Sequence, residues 1–346
     1  MISRSKLALR AALSAGLSLF AATPAQANAA TAVSIPGRMY SVGCMSATSC
    51  VTAGFSSGQG PPTEIDIVHG RTVVRTVRPK GTSSGNLTDV TCPSRAECIV
   101  VAPGAPGRTD IVTVSSAAAV TIRTVTAAAG TTYDSISCLS ARSCELSGWS
   151  TDNSPIVVAS WNGRRITATH FISIPNGASM GNYVPSVSCS SAWCEVTDSL
   201  LPPDAQNNDQ EPFLTVLHDG MPVSAHFLPG YRYVGVSCST ATTCSALLDS
   251  DMPSGYAATS FLAPVMGGAF GMLHPIPSAS SEFTCVGNRC LVATGTTIAT
   301  YASGRVAGST MVPGVPSLLG LTAIPGLGYA AVGPRYRRPG SFLVRG

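Results

Sequence analysis

Charge is scarce in this chain. Asp, Glu, Lys and Arg make up 11% of its 346 residues, and lysine occurs only at Lys6 and Lys80. Phosphate backbones demand clustered cations, so no nucleic-acid partner is expected. Long apolar runs are missing too: none approaches the ~20 residues that a membrane-spanning helix needs. Beyond the first residues no stretch repeats its apolar positions at helical spacing, which leaves an all-β chain. There is no G-x-S-x-G elbow. None of the five histidines stands beside a cysteine at metal-ligand spacing, so neither a metal nor a cofactor is expected. What remains is 45% apolar, enough to bury a core and too much for a disordered chain.

The beginning stands apart. "MISRSKLALR" carries Arg4, Lys6 and Arg10, a short apolar run follows, and Ala25-Gln26-Ala27 has the small residues of a cleavage site. This reads as a secretory signal peptide, residues 1–27, cut after Ala27. Loss of its three cations would take the formal charge from +4 to +1. The expected mature chain, residues 28–346, is exported and nearly neutral.

Its twelve cysteines fall into six local pairs: Cys44/Cys50, Cys92/Cys98, Cys138/Cys144, Cys189/Cys194, Cys238/Cys244 and Cys285/Cys290. Four are spaced C-x5-C; the fourth and sixth are C-x4-C. Cysteines flanking a tight hairpin face each other with Cα atoms ~4.5–5.5 Å apart, within reach of a disulfide. Export to an oxidising compartment favours six such bridges over metal knuckles.

The first cysteines lie at 44, 92, 138, 189, 238 and 285. Self-similarity at so regular a step marks a solenoid, propeller or array. Within one unit, "YSVGC", "CVTAGF", "TEIDIVH" and "RTVVRTV" read as four strands, here a to d, rich in Val, Ile and Thr and separated by turns. The c–d turn is "HG" at 69–70 and recurs as "NG" at 162–163, "DG" at 219–220 and "SG" at 303–304, dipeptides that supply the positive φ of a two-residue turn. Four strands per repeat make a propeller blade. A seventh, cysteine-free copy follows at 318–333, and "SFLVRG" then ends the chain without a d strand. The segment "TAVSIPG", residues 31–37, resembles the ends of the other d strands. It is therefore expected to complete the last blade and seal a seven-bladed ring, leaving no sheet edge open.

Ser137-Cys138-Leu139-Ser140…Cys144 and Ser237-Cys238-Ser239-Thr240…Cys244 carry a VSC-x-S-x-x-x-C phrase. It resembles secreted actinobacterial β-propellers with serial cysteine pairs. The resemblance covers residues 29–346 and implies a broadly sialidase-like or lectin-like architecture. It does not extend to chemistry.

In such a ring the b–c and d–a loops share one rim, and the a–b turns with their disulfides are expected on the other. The b–c loops vary most. Ligand-binding candidates there are Trp149 and Asp152 in blade 3, Asp198 in blade 4, Asp249 and Asp251 in blade 5, and Arg335 and Tyr336 in blade 7. Arg38 and Arg232 join them on the d–a side. The bland alternative is a solvated acidic loop or a basic surface patch. The position three before each first cysteine reads Ser41, Asp89, Ser135, Ser186, Gly235 and Glu282, a polar channel lining in which Asp89 and Glu282 would bind a cation or a hydroxylated ligand, or merely water. Arg38, Arg232, Arg335, Tyr40 and Glu282 also assemble into a sialidase-like set, but the S-x-D-x-G-x-x-W box is absent. The sequence thus points to a secreted, monomeric binding module for a glycan or an extracellular protein. A glycan hydrolase is the runner-up, and a structural wall component the third reading.

Overall fold

The computed structural model describes residues 31–56, 62–82, 88–105, 107–127, 130–150, 156–174, 178–180, 185–201, 211–228, 231–240, 243–250, 259–266, 269–276, 282–302, 305–312, 315–324, 328–335 and 340–346. The expected leader lies outside them. They form seven separate antiparallel sheets, each built on four main strands, and contain no helix. Blade 1 runs Arg38–Ser46, Ser49–Phe55, Thr63–His69 and Thr72–Val77, in that spatial order. Each a strand touches the a strand of both neighbouring blades, and the last touches the first, so the sheets close a ring: a seven-bladed β-propeller.

Closure happens as the sequence predicts. Thr31–Ile35 pairs antiparallel with Ser341–Arg345, from Thr31 opposite Arg345 to Ile35 opposite Ser341. It forms the outer strand of blade 7, beyond Gly320–Ile324 and Gly328–Pro334. Val33 and Ile35 are buried in the seam with blade 1. The Met39 N–H donates to Ser341 Oγ at 2.8 Å, and Arg345 donates to the carbonyls of Ala47 and Gly70 in the turns of blade 1.

The described residues share no common core. They form instead seven apolar clusters, one at each seam between neighbouring blades. This is how radially repeated sheets must bury apolar surface, since each has only its neighbours to pack on. The outer d strands stay largely exposed, as in Arg305–Met311.

All six expected disulfides form, each within its own hairpin: Cys44–Cys50, Cys92–Cys98, Cys138–Cys144, Cys189–Cys194, Cys238–Cys244 and Cys285–Cys290. Two corrections follow from where they sit. Their Cα atoms lie 3.9–4.0 Å apart, closer than the pairing geometry predicts. And the two halves of a bridge differ in depth: Cys50 and Cys98 are 0% exposed and Cys290 is 7% exposed, whereas the first cysteines Cys92, Cys138, Cys189 and Cys238 are only half-buried near the rim. The second cysteine of each pair stands on a b strand, enclosed between strands a and c, so its side chain points into the seam with a neighbouring blade. Cys50, Cys98 and Cys290 are accordingly members of three different apolar clusters, and Cys144, Cys194 and Cys244 of three more. The sulfurs serve as core atoms as well as staples.

The two spacings also have a local cause. In the x4 pairs the ladder runs on from the cysteines to the next residues, Ser190 opposite Trp193 and Val286 opposite Arg289. In three of the x5 pairs it skips one residue after the first cysteine, so Ser46, Ser140 and Thr240 meet Ser49, Ser143 and Thr243. The fifth intervening residue is a β-bulge.

The serine of the repeated phrase acquires a role of its own. The Cys189 N–H donates to Ser137 Oγ at 2.9 Å, Cys238 N–H to Ser188 Oγ at 2.8 Å, and Cys285 N–H to Ser237 Oγ at 2.8 Å. Each bond joins the inner strand of one blade to the blade before it. At the same position in blade 1 stands Gly43, where a Cβ would lie 2.6 Å from Cys92 Sγ. That seam uses Ser41 Oγ instead, which accepts from the Val90 N–H at 3.1 Å.

Candidate functional site

The rim expected from the sequence is only partly visible. Asp152, Asp251 and Tyr336 lie outside the described residues, as does the side chain of Arg232. Two expectations need correcting, because the b strands run further than their turn residues imply. Asp198 is not on a solvated loop. It lies inside Trp193–Leu201, fully buried, with Oδ1 accepting from the Ser199 N–H at 2.6 Å. Burial pushes its carboxyl up to about 8. Asp249 lies inside Thr243–Ser250, opposite Arg232, and accepts from Ser260 Oγ at 2.6 Å. Trp149 also belongs to a strand, Ser143–Ser150, and is half-buried. Its indole favours the ionised form of Asp134, but neither Asp134 oxygen gains a hydrogen bond and burial wins, lifting that carboxyl to about 7. Arg38 is exposed, and Arg335 stacks over Phe342 at 5.2 Å.

The residues expected to line a channel sit on the inner strands, where Asp89 is held by hydrogen bonds. Asp89 Oδ1 accepts from Ser41 Oγ at 3.2 Å and from the N–H of the next residue, Val90, at 2.8 Å. Its Oδ2 accepts from Ser135 Oγ at 2.8 Å and from the Ile136 N–H at 3.1 Å. Ser135 Oγ in turn accepts from the Val187 N–H at 3.2 Å. One carboxylate thus ties blades 1, 2 and 3, and a serine continues the chain to blade 4. Glu282 is raised to about 8, by burial first and by the negative charge of Asp89 second. The only cluster with metal-like donors among the described residues is Glu195 with Cys238 and Cys244, and both sulfurs are committed to a disulfide.

A concavity lies on the opposite rim, the one that carries the a–b and c–d turns. It is an open groove of about 550 Å³ between blades 2 and 3. Glu97, Thr113 and Arg123 line it from blade 2; Arg142, Asn162 and Arg164 line it from blade 3. Ala141 is the one apolar side chain in its walls. The local fold explains the placement. Asn162 Oδ1 accepts from the N–H groups of Arg164 and Arg165 at 3.0 Å, and Gly163 takes φ +84° where a Cβ would lie 2.7 Å from the Ala141 carbonyl. Both turns of blade 3 are thereby drawn together at the groove's edge. A smaller cleft of about 60 Å³ sits one seam further on, between blades 3 and 4. Beyond it, Trp193 is 38% exposed and its ring lies 4.3 Å from that of His218. The sequence reading overlooked Trp193, although a tryptophan between two hairpin cysteines is forced to the rim.

No protein-family model matches the chain, and no curated protein matches it. Among solved structures it is similar to the BP39L lectin from Burkholderia pseudomallei, with a TM-score of 0.61, 14% identity, and 90% of this chain and 95% of that one covered. It is also similar to the β-propeller domain of the Trilobed protease from Pyrococcus furiosus, described as having an open velcro topology (TM-score 0.54, 7% identity, 89% and 94% covered). A third is BBS1N, solved in complex with ARL6DN (0.52, 10%, 90% and 93%). At such identities the likeness is one of fold. It agrees with the architecture above, and here the ring is sealed by an added N-terminal strand.

Proposed function

We propose that the protein is an exported carbohydrate-binding module that takes its ligand on the rim of a–b and c–d turns at blades 2 to 4. The groove between blades 2 and 3 carries this reading. Its walls offer hydroxyl, amide, carboxylate and guanidinium groups and a single apolar side chain, Ala141, which suits a polyhydroxylated ligand that also presents apolar ring faces. The exposed Trp193 ring, tilted against that of His218, adds an aromatic surface of the kind on which a sugar ring stacks. A lectin shares the fold. Six disulfides suit an oxidising exterior, and no helix among the described residues is long and apolar enough to cross a membrane. The test is a glycan array probed with residues 28–346: binding to at least one glycan class is expected, and a blank array would point instead to a protein ligand.

The hydrolase reading keeps one observation in its favour. Burial pushes the Glu282 carboxyl up to about 8, which leaves it able to donate a proton at neutral pH as a glycosidase acid must. That reading expects turnover of any array hit, abolished by Glu282→Gln. A bound glycan that is never cleaved would remove it.

A further inference from the structure

Resting on the reading just proposed, we infer that the groove between blades 2 and 3 is an oxyanion site, and that its ligand is an acidic polysaccharide carrying carboxylate or sulfate groups. Arg123 stands on the d strand of blade 2, Val120–Thr126. Arg142 comes from the a–b turn of blade 3, and Arg164 from its c–d turn. All three are exposed at the groove. The ion pairs among the described residues are Arg78 with Glu64, Arg108 with Asp110, and His218 with Asp219. None of these pairs includes a groove arginine, and Glu97 is the one carboxylate in the groove walls.

Structural arginines in this chain look different. Arg78 donates to Glu64 Oε2 through two nitrogens, at 2.6 and 2.9 Å, and Arg108 reaches the Lys80 carbonyl at 3.1 Å. Three guanidinium groups around one cavity repel one another until an anion or solvent enters, and their planar forks match carboxylate and sulfate oxygens two at a time. The cavity also exceeds what a lone ion fills: about 550 Å³ compares with roughly 30 Å³ for one water molecule. Thr113, Thr121 and Asn162 supply hydrogen-bonding groups for the hydroxyls of a sugar backbone.

The experiment is calorimetric titration of residues 28–346 with oligogalacturonate, its fully methyl-esterified form, dextran sulfate and dextran. The acidic polymers should bind at least about tenfold tighter than their uncharged counterparts. Arg123→Ala, Arg142→Ala and Arg164→Ala should each weaken binding about tenfold, as loss of a charge-assisted contact does. Arg305→Ala, an exposed arginine on blade 6, should change nothing, and all four variants should melt as the parent does. Which acidic polymer binds tighter assigns the oxyanion. Equal affinity for the esterified and free-acid forms would overturn the inference, as would a loss with Arg305→Ala equal to that of the groove variants. If none of the four polymers binds, the inference fails; the carbohydrate reading fails with it only if the glycan array is blank as well.

Discussion

Ser188, Ser137 and Ser237 each hold an inner-strand N–H of the following blade with a single hydroxyl. The donors are half-enclosed at the seam, so a lost acceptor leaves them poorly solvated. Ser188→Ala should therefore cost about 1–2 kcal/mol, read as a lower midpoint in denaturant with an unchanged slope. The opposite sign is expected one turn away. Ser191 takes φ 59° in the two-residue turn of blade 4, the region that the equivalent residue of blade 6, Gly287, occupies at φ 60°. Ser191→Gly relieves that strain and should stabilise the fold by about 0.5–1 kcal/mol, with disulfides intact in parent and variant. The two effects differ in origin, one a lost acceptor and the other a backbone conformation, so they should add.

At the scale of the strand, elements a, b and c all bury carboxyl groups within their length. Burial raises Asp66 to about 6, Asp134 and Glu195 to about 7, and Asp198 to about 8, and Glu282 on an inner strand joins them at about 8. Each keeps its proton longer in the folded chain than in the unfolded one, where it ionises near pH 4. The stability these groups contribute is therefore complete below about pH 4 and is lost as pH rises through 6 to 8. The melting temperature should fall between pH 5 and pH 9, and Asp198→Asn should flatten that fall and melt above the parent at pH 9. A melting temperature that rises over this interval would contradict the assignment. These positions also mark where sequence reasoning stopped. Alternation and turn dipeptides located every blade, and Gly70, Gly163 and Gly220 take the positive φ that the turns at those positions require, while the turn at 303–304 lies outside the described residues. The length and depth of strand b were not legible. "TDSLL" is polar enough to read as loop, and only its pairing with "EPFLT" across the hairpin shows that Asp198 is enclosed. The cysteine spacing likewise gave the pairing of Cys50, Cys98 and Cys290 but not their burial, because the neighbouring blade that covers them is about 50 residues away in the chain or further.

At the scale of the whole molecule, the ring depends on residues far apart in the chain. Val33 and Ile35 bury their side chains against blade 1, worth about 3–6 kcal/mol together, a large share of an ordinary domain's stability. Removing residues 31–36 should open blade 7 and make Ser341–Arg345 an early site of proteolysis, whereas removing residues 28–30 should not. This closure was legible because a missing fourth strand at one end matched a spare strand at the other. The groove between blades 2 and 3 was not. Arg123, Arg142 and Arg164 belong to two blades and three different elements, and nothing in their spacing marks them as neighbours; the fold alone sets them around one cavity. Trp149, Asp249 and Arg335, which stand out in the sequence, lie toward the ends of b strands away from the a–b turns. Hydrogen exchange of residues 28–346 with and without a bound acidic oligosaccharide decides between the two faces. Protection at 97, 121–123, 141–142 and 162–164 is the predicted result; protection confined to the loops around 149–155, 249–258 and 335–340 would contradict it.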